Sequence, residues 1–511
     1  MQIREHAEAT PDKPAIILYP SGTVVTFAEL EARANRLAHY LRNAGLVEGD
    51  TVAILMENND HIFTAFWAAR RAGLYYVPIN THLTAAEAAY IVDNSNAKAI
   101  IGSAKLAGIC AELGEHLPNG LPATLLMTGE PEGVELPGWQ RYPECVADLP
   151  DTPIPDEREG DLLQYSSGTT GRPKGIRREL PHVPPAEAPG FVTPVVQFWM
   201  QPPNAVYLSP APLYHTAPSM WAITAQSEGV TVVVMEKFDA EGALEAIEKH
   251  KVTHGQFVPA MFTRMLKLPE QVRTRYDVSS LKRVIHAAAP CPVEVKKAMM
   301  DWWGPIVDEY YASSEAIGAT FIFAEDWLKH PGSVGKPLNS VVHILDEDGN
   351  ELPPGRPGEI YFEGGNTFEY LNDPEKTAKS RNEKGWVTVG DIGYVDEEGF
   401  LYLTDRRHHM IISGGVNIYP QETENMLVTH PKVMDAAVFG IPDPEMGQQV
   451  KAVVQTVDPA DATEEFAAEL IAWLRDRLAH YKCPKSISFE PQLPRTDTGK
   501  LYKQELIKKY S

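Results

Sequence analysis

Cysteine is scarce in this chain. Cys110, Cys145, Cys291 and Cys483 lie far apart among 511 residues, with no CxxC pair and no metal-ligand spacing. That pattern excludes a disulfide framework and a zinc ribbon, and a reducing, cytoplasmic setting is expected. Positive charge is short as well: 46 Lys plus Arg stand against 69 Asp plus Glu, a net charge of −23. Such a surface repels nucleic acid and anionic lipid. No local basic patch offsets it, so no nucleic-acid partner is expected. No run approaches the roughly 18 apolar residues of a transmembrane segment, and GVTVVVM, from Gly229 to Met235, is only strand length. The start, MQIREHAEATPDK, is polar and charged throughout, so no signal peptide is expected. No internal repeat or low-complexity tract stands out.

What remains is an ordinary globular composition, 43% hydrophobic and 23% charged, over a length that implies more than one domain. The first hundred residues alternate helix and strand signals. Thr26 and Glu29 form a capping box ahead of Phe27, Leu30, Ala34, Leu37 and Leu41 at helical spacing, with Gly45 as the stop. TVAIL at Thr51 predicts a buried strand, residues 60–72 a helix and residues 75–79 a second strand. This order implies parallel strands joined by crossover helices. VTVVVM, residues 239–250 and VTHGQFV repeat the rhythm as strand, helix and strand, and KRVIHAAAP reads as a strand ending in a small-residue turn. From about Gly332 to Val395 short strands alternate with DEDGN, PPGRPG and EGGN turns, a β-rich subdomain. Charge density rises at DRRHH, and the last hundred residues carry their own helix and strand pattern, including a Thr463-capped helix. The expected fold class is therefore α/β: a large N-terminal domain of parallel doubly wound sheets plus a β-rich subdomain at residues 1–404, a hinge at 405–409, and a small mobile C-terminal α+β domain at 410–511.

The most informative segment is YSSGTTGRPKG, Tyr165 to Gly175, placed after a strand end. Its glycines allow close backbone approach, its Ser and Thr residues offer hydroxyl donors, and Lys174 adds a cation, all suited to a phosphate chain. It is not a Walker loop, because Lys174 lies between Pro173 and Gly175. YSSGTTGRPKG resembles the phosphate loop of the adenylate-forming enzymes, the superfamily of acyl-CoA synthetases, luciferases and peptide-synthetase adenylation domains. Other blocks recur in that family's order across almost the whole chain.

The resemblance implies ATP, Mg²⁺ and coenzyme A as reaction partners, and a role for each matching residue. Ser166, Ser167, Gly168, Thr169, Thr170, Gly171 and Lys174 would cradle the ATP phosphates. In YASSE, Tyr311 would stack on adenine, Ser314 touch the α-phosphate and Glu315 help hold Mg²⁺; Ala312 and Ser314 depart from the family's Gly and Thr. HAAAP, with Ala289, resembles the adenine loop. Asp391 would bind the ribose hydroxyls, with Val389 replacing the usual Thr, and Arg406 would reach ribose or phosphate. His408 occupies the hinge position, and paired metal binding by His408 and His409 is disfavoured because neighbours on a strand point to opposite faces. Gly414, Gly415 and Asn417 match the loop that lines the pantetheine tunnel. Lys500, in LPRTDTGKLYK, matches the catalytic lysine that bridges carboxylate and α-phosphate, and His215, in APLYHTAP, matches a gate to the acyl pocket.

The expected activity is an acid–CoA ligase that forms acyl-AMP and then a thioester. An acyl-AMP ligase loading a carrier protein and a non-catalytic adenylate-binding protein remain as alternatives. The acyl pocket is expected among Ser219, Met220 and Trp221, residues 257–261 and residues 316–323. AIGATFIF carries no Arg or Lys to pair a second carboxylate, so the expected substrate is a hydrophobic monocarboxylate: a fatty, aryl-alkanoic or steroid side-chain acid. The segment IRRELPHVPPAEAP departs from the family pattern, while the last hundred and fifty residues most resemble bacterial fatty-acid-type CoA ligases. A homodimer is compatible with these readings.

Overall fold

The computed structural model describes the chain except Met1, residues 167–172, 189–192, 202, 407–408, 415 and 496–500, and except the side chains of Asp405, Arg406 and Asn417. It divides into two compact units, each discontinuous in sequence. One comprises Met1–Gln256, Tyr276–Arg283 and Thr367–Ala378; the other comprises Phe257–Arg275, Val284–Asn366 and Lys379–Ser511.

The first unit contains a six-stranded parallel sheet among the described residues, ordered Gln140–Tyr142, Thr124–Thr128, Ala97–Ser103, Thr51–Leu55, Tyr75–Pro78, Asp161–Leu162. Every residue of Thr51–Leu55 and Tyr75–Pro78 is buried, as expected of parallel strands covered on both faces. The crossover helices are Ile62–Arg71, Ala85–Asn94 and Ala107–His116. The helix Phe27–Asn43 begins where its capping box predicts. The Glu29 N–H donates to the Thr26 hydroxyl, and the Thr26 N–H donates to the Glu29 carboxylate. A second group of strands runs parallel through Pro14–Tyr19, Thr231–Met235 and Val206–Ser209. A small antiparallel sheet joins Gln164–Ser166, Lys174–Arg177 and Glu369–Tyr370.

In the second unit, Arg283–His286 pairs parallel with Val307–Ala312. An antiparallel ladder follows through Ala319–Ile322, Ser333–Pro337, Leu401–Arg406, Asp391–Val395, Gly358–Glu363 and Val341–Leu345, the β-rich region expected from its turns. The C-terminal part has its own sheet. In the long hairpin Val433–Asp443 and Gly447–Thr456, the second strand pairs along its other edge with Ile411–Ser413 at Gly447 and with the parallel strand Ser486–Phe489 from Lys451 to Val454. Helices Pro420–Leu427 and Glu464–Arg475 cover an apolar core of Leu427, Val438, Val450, Phe466, Leu470 and Leu474. Parallel sheets with crossover helices, a β-rich subdomain and a small C-terminal domain bear out the α/β expectation. No helix among the described residues is long and apolar enough to cross a membrane.

Candidate active site

The phosphate-loop segment is the connection of a hairpin. Ser166 ends the strand Gln164–Ser166 and lies opposite Lys174, the first residue of Lys174–Arg177. The seven residues between them are thus held at both ends by one antiparallel register. Ser167, Gly168, Thr169, Thr170 and Gly171 lie outside the described residues. The Lys174 Nζ sits 3.2 Å from the Asp373 carboxylate, and both side chains are partly exposed. The Asp373 carboxyl is held below its ordinary range, first by the Lys376 N–H and then by Lys174. A Cβ on Gly175 would fall 3.0 Å from the Tyr165 ring, and the Tyr165 hydroxyl donates to the Asn94 side chain at 2.7 Å.

The same strand reaches the His215 block. The Gln164 amide donates to the Tyr214 carbonyl at 3.3 Å. Asn58 holds that block from the other side: its amide nitrogen donates to the Ala211 carbonyl (3.2 Å) and the Met235 carbonyl (2.8 Å), and its oxygen accepts the Leu213 N–H (2.8 Å). His215 then serves as the N-cap residue of the helix Thr216–Ser227, its ring 4.5 Å from that of Tyr214. Two residues expected at the acyl pocket make local contacts. Ser219 is fully buried and donates to the His215 carbonyl, and Trp221 packs edge-on against Trp199.

In the second unit the nucleoside-binding candidates converge. Tyr311 lies near the end of Val307–Ala312, and its hydroxyl donates to the Asp391 carboxylate at 2.6 Å. Asp391 is nearly buried and its backbone lies opposite Arg406 in the strand register. The turn that follows Tyr311 carries half-buried Ser314 and nearly buried Glu315. Its shape is unusual: Ala316 adopts φ +54°, a left-handed conformation that costs energy for a residue with a Cβ and is often found at functional sites. Two glycines permit it. A Cβ on Gly365 would fall 1.8 Å from the Ile317 carbonyl oxygen, and one on Gly318 would meet the Phe362 ring at 2.2 Å. Ala288, next to half-buried Ala289 in the expected adenine loop, is also left-handed at φ +74°.

Beneath these strands lies a cluster that the sequence reading overlooked. The Lys296 Nζ is 2.8 Å from the Glu309 carboxylate and 4.7 Å from the Trp327 ring centroid, and His286 Nε2 lies 3.3 Å from the same carboxylate. Lys296 and His286 are wholly buried. Burial pushes Glu309 up, but His286 and Lys296 outweigh it and hold the carboxyl well below its usual range. Burial keeps His286 below its own usual value. Helical spacing was the available signal: Lys296 shares a face with Met299, Met300 and Trp303, whereas its neighbour Lys297 is exposed. Phe257, another expected pocket residue, is buried against Phe262 and Trp303.

In the C-terminal part, Gly414 has φ +56° and donates its N–H to the Met446 carbonyl at 2.8 Å. Gly415, His408 and Lys500 lie outside the described residues, as do the side chains of Arg406 and Asn417. The segment that ends at Lys500 is nevertheless fixed at its roots. Arg495 pairs with Leu501, and the Tyr502 N–H donates to the Pro494 carbonyl at 2.8 Å. The Arg495 guanidinium forks onto Asp435, one bond at 2.7 Å, and the buried Lys503 Nζ lies 2.7 Å from buried Glu424.

Sequence comparison agrees with this arrangement. The profile of the AMP-binding enzyme family matches residues 3–370, and that of the AMP-binding enzyme C-terminal domain matches residues 422–500. The chain belongs to the AMP-binding enzyme family. A feruloyl-CoA synthase of an Amycolatopsis species is 34% identical over 96% of this chain and 94% of its own length. A long-chain-fatty-acid–CoA ligase of Mycobacterium tuberculosis is 32% identical over 100% and 98%. Among solved structures, the o-succinylbenzoate CoA synthetase of Bacillus subtilis, in complex with its acyl-adenylate intermediate, superposes with a TM-score of 0.81 at 28% identity, covering 99% of this chain and 97% of that one. This AMP-binding enzyme is an AMP-forming acyl-CoA synthetase, acting on a carboxylate with ATP, Mg²⁺ and CoA. Among the described residues no group of three or more His, Cys, Asp or Glu is arranged to hold a metal. A single protein carboxylate, Glu315, suits Mg²⁺, which keeps several waters and takes phosphate oxygens rather than an all-protein cage.

Proposed function

We propose that this acyl-CoA synthetase activates a hydrophobic monocarboxylate, a fatty or aryl-alkanoic acid in the first instance. The observation that supports this reading is the stretch Ala316 to Phe323. It contains no cation, Ile317 and Ile322 are almost fully buried, and Phe321 and Phe323 pack edge-on at 4.9 Å. A second carboxylate buried against such a surface would cost several kcal/mol, about 2–7 for an unpaired polar group and more for a charge.

The residues divide the work by chemistry. The phosphate-loop hydroxyls and Lys174 bind the phosphates. Tyr311 offers its ring to adenine while its hydroxyl orients the Asp391 carboxylate toward a vicinal diol. Mg²⁺, held on Glu315, would neutralise phosphate charge. Lys500 balances charge as the substrate carboxylate approaches the α-phosphate, and pyrophosphate leaves. The C-terminal domain then turns at residues 405–409, withdraws Lys500 and presents the Gly414 loop to the CoA thiol, so that one pocket serves both half-reactions in turn.

The test is kcat/KM across straight-chain acids, aryl-alkanoic acids and matched dicarboxylates, with CoA and with a carrier protein as acceptor. The expected result is CoA thioester formation that rises about fourfold per methylene until the pocket fills, at about 0.8 kcal/mol each, with dicarboxylates rejected. A preference for dicarboxylates would overturn the pocket reading, and transfer to carrier protein alone would overturn the acceptor. The same assay with Lys500→Ala should lose roughly 10²–10³-fold in adenylation and keep thioester formation from supplied acyl-AMP.

A further inference from the structure

The loop 287–292 runs from the end of the strand Arg283–His286 to the start of the helix Val293–Trp303. Its second residue, Ala288, is left-handed at φ +74°. A residue with a Cβ keeps such a conformation only where its surroundings fix it. Here both ends of the loop meet one carboxylate. Before the loop, His286 Nε2 lies 3.3 Å from Glu309 Oε2; after it, the Lys296 Nζ lies 2.8 Å from the same oxygen. Glu309 is the register partner of His286 on the neighbouring parallel strand Val307–Ala312. It stands two residues before Tyr311, on the same face of that strand.

None of His286, Lys296 and Glu309 is among the groups assigned above to ATP, acid or CoA. His286 and Lys296 have no exposed surface and Glu309 has 5%, so the cluster can act on a ligand only through the backbone it holds. At 3.3 Å the imidazole touches the carboxylate without an aligned hydrogen bond, and neither ring nitrogen has another hydrogen-bond partner among the described residues. A charge pair buried for stability alone could join any two elements. This one joins the two flanks of a single loop to the strand that presents Tyr311.

We propose that His286 is a positioning residue for the nucleotide: with Lys296 it engages Glu309, closes the base of the loop 287–292 and sets the gap between that loop and Tyr311. The inference deepens the proposed function and rests on its reading of Tyr311 and the Ala289 loop as the adenine site. The imidazole and the ammonium approach one anionic oxygen, and contacts to a charged acceptor are the strong ones. Without the imidazole, Lys296 still holds the helix side of the loop, and the strand side is released. Binding of the base should weaken. Binding of phosphate, assigned to the hairpin of Ser166 and Lys174, should not.

The experiment uses the two products as probes in the full-length enzyme. AMP carries the base and pyrophosphate does not, and each is measured as an inhibitor of the overall reaction. His286→Leu is expected to weaken inhibition by AMP and to raise the KM for ATP, each about tenfold, the scale of one polar contact. Inhibition by pyrophosphate and kcat at saturating ATP should be unchanged. His286→Gln, whose amide nitrogen falls where Nε2 stands, should restore most of the AMP affinity. His286→Asn, whose nitrogen falls where Nδ1 stands, should not. Equal weakening of both products, or of neither, would overturn the proposal, as would failure of glutamine to rescue or equal rescue by asparagine. Should the leucine variant not fold, His286→Met is measured against the same criteria. Tyr311→Leu is run in parallel. If it leaves inhibition by AMP intact, the adenine-site reading has failed and this inference goes with it. If it weakens inhibition by AMP while His286→Leu does not, only the inference is overturned.

Discussion

Lys296 and Lys174 each face a carboxylate, and the two pairs differ in almost every respect that matters energetically. Lys296 is wholly buried, 2.8 Å from Glu309, with His286 and the Trp327 ring completing its surroundings. Lys174 lies 3.2 Å from Asp373 with 28% of its side chain exposed and 36% of its partner's. In the first case neither charge can be hydrated, so the pair fixes a geometry and each member depends on the other. In the second, water and salt solvate both groups, so the pair can separate at little cost. The enzyme thus places a committed charge pair beneath the strand that carries Tyr311, and an uncommitted one at the end of the phosphate hairpin. Under the proposed function, the former would support nucleoside binding and the latter capture and release of pyrophosphate.

The sharpest way to break this contrast is Lys296→Met. It leaves Glu309 buried without its cation, which should cost about 3–5 kcal/mol, read as a lowered urea midpoint. A variant with unchanged stability would show that the cluster is not a committed pair. The next effect is a titration. His254 is buried against Trp199, and burial, with Lys282 and Arg283 nearby, pushes its imidazole from 6.5 down to about 4. The unfolded chain takes up this proton near pH 6.5 and the folded chain only near 4. The contribution is therefore complete above pH 6.5 and is lost as pH falls toward 4. His254→Gln should flatten the urea midpoint over that window relative to the parent, and an identical slope in both proteins would refute the assignment. The smallest effect is expected from Asp373→Asn, which should leave Tm unchanged at neutral pH in low and high salt alike. A clear drop would place the Lys174 pair with the committed kind.

Much of this architecture could be read in advance because its causes are local. The Thr26–Glu29 capping box, the Asp239 cap of the helix Ala240–His250 and the buried strand Thr51–Leu55 all depend on residues a few positions apart. Parallel pairing followed from the alternation of strand and helix. The site was legible only as a set of motifs. YSSGTTGRPKG and YASSE named residues, but nothing in them announced that the Tyr311 hydroxyl would meet Asp391, eighty positions away. Asn58 gave no sign of its role, since a buried amide that satisfies three backbone groups has no sequence signature. Lys296 did leave a trace in its helical phase with Met299 and Trp303, hidden by the adjacent Lys297, whose letter is the same and whose environment is the opposite. The local contacts of Ser219 and Phe257 had no signature either: the Ser219 hydroxyl donates to the His215 carbonyl four residues back, and Phe257 packs against Phe262 and Trp303.

The turn after Tyr311 has a consequence for anyone mapping this enzyme by mutation. Gly365 and Gly318 touch backbone and ring so closely that no other residue fits either position. In a saturation library scored by growth or product, both will appear intolerant of change, alongside residues that handle substrate. Neither has a side chain with which to handle anything. A map of intolerance read on its own would therefore draw the active site too large, extending it along the strand Gly358–Glu363. Scoring the same library for abundance would separate the two kinds of position, because the glycines would disappear from the cell and the chemical residues would persist as inert protein.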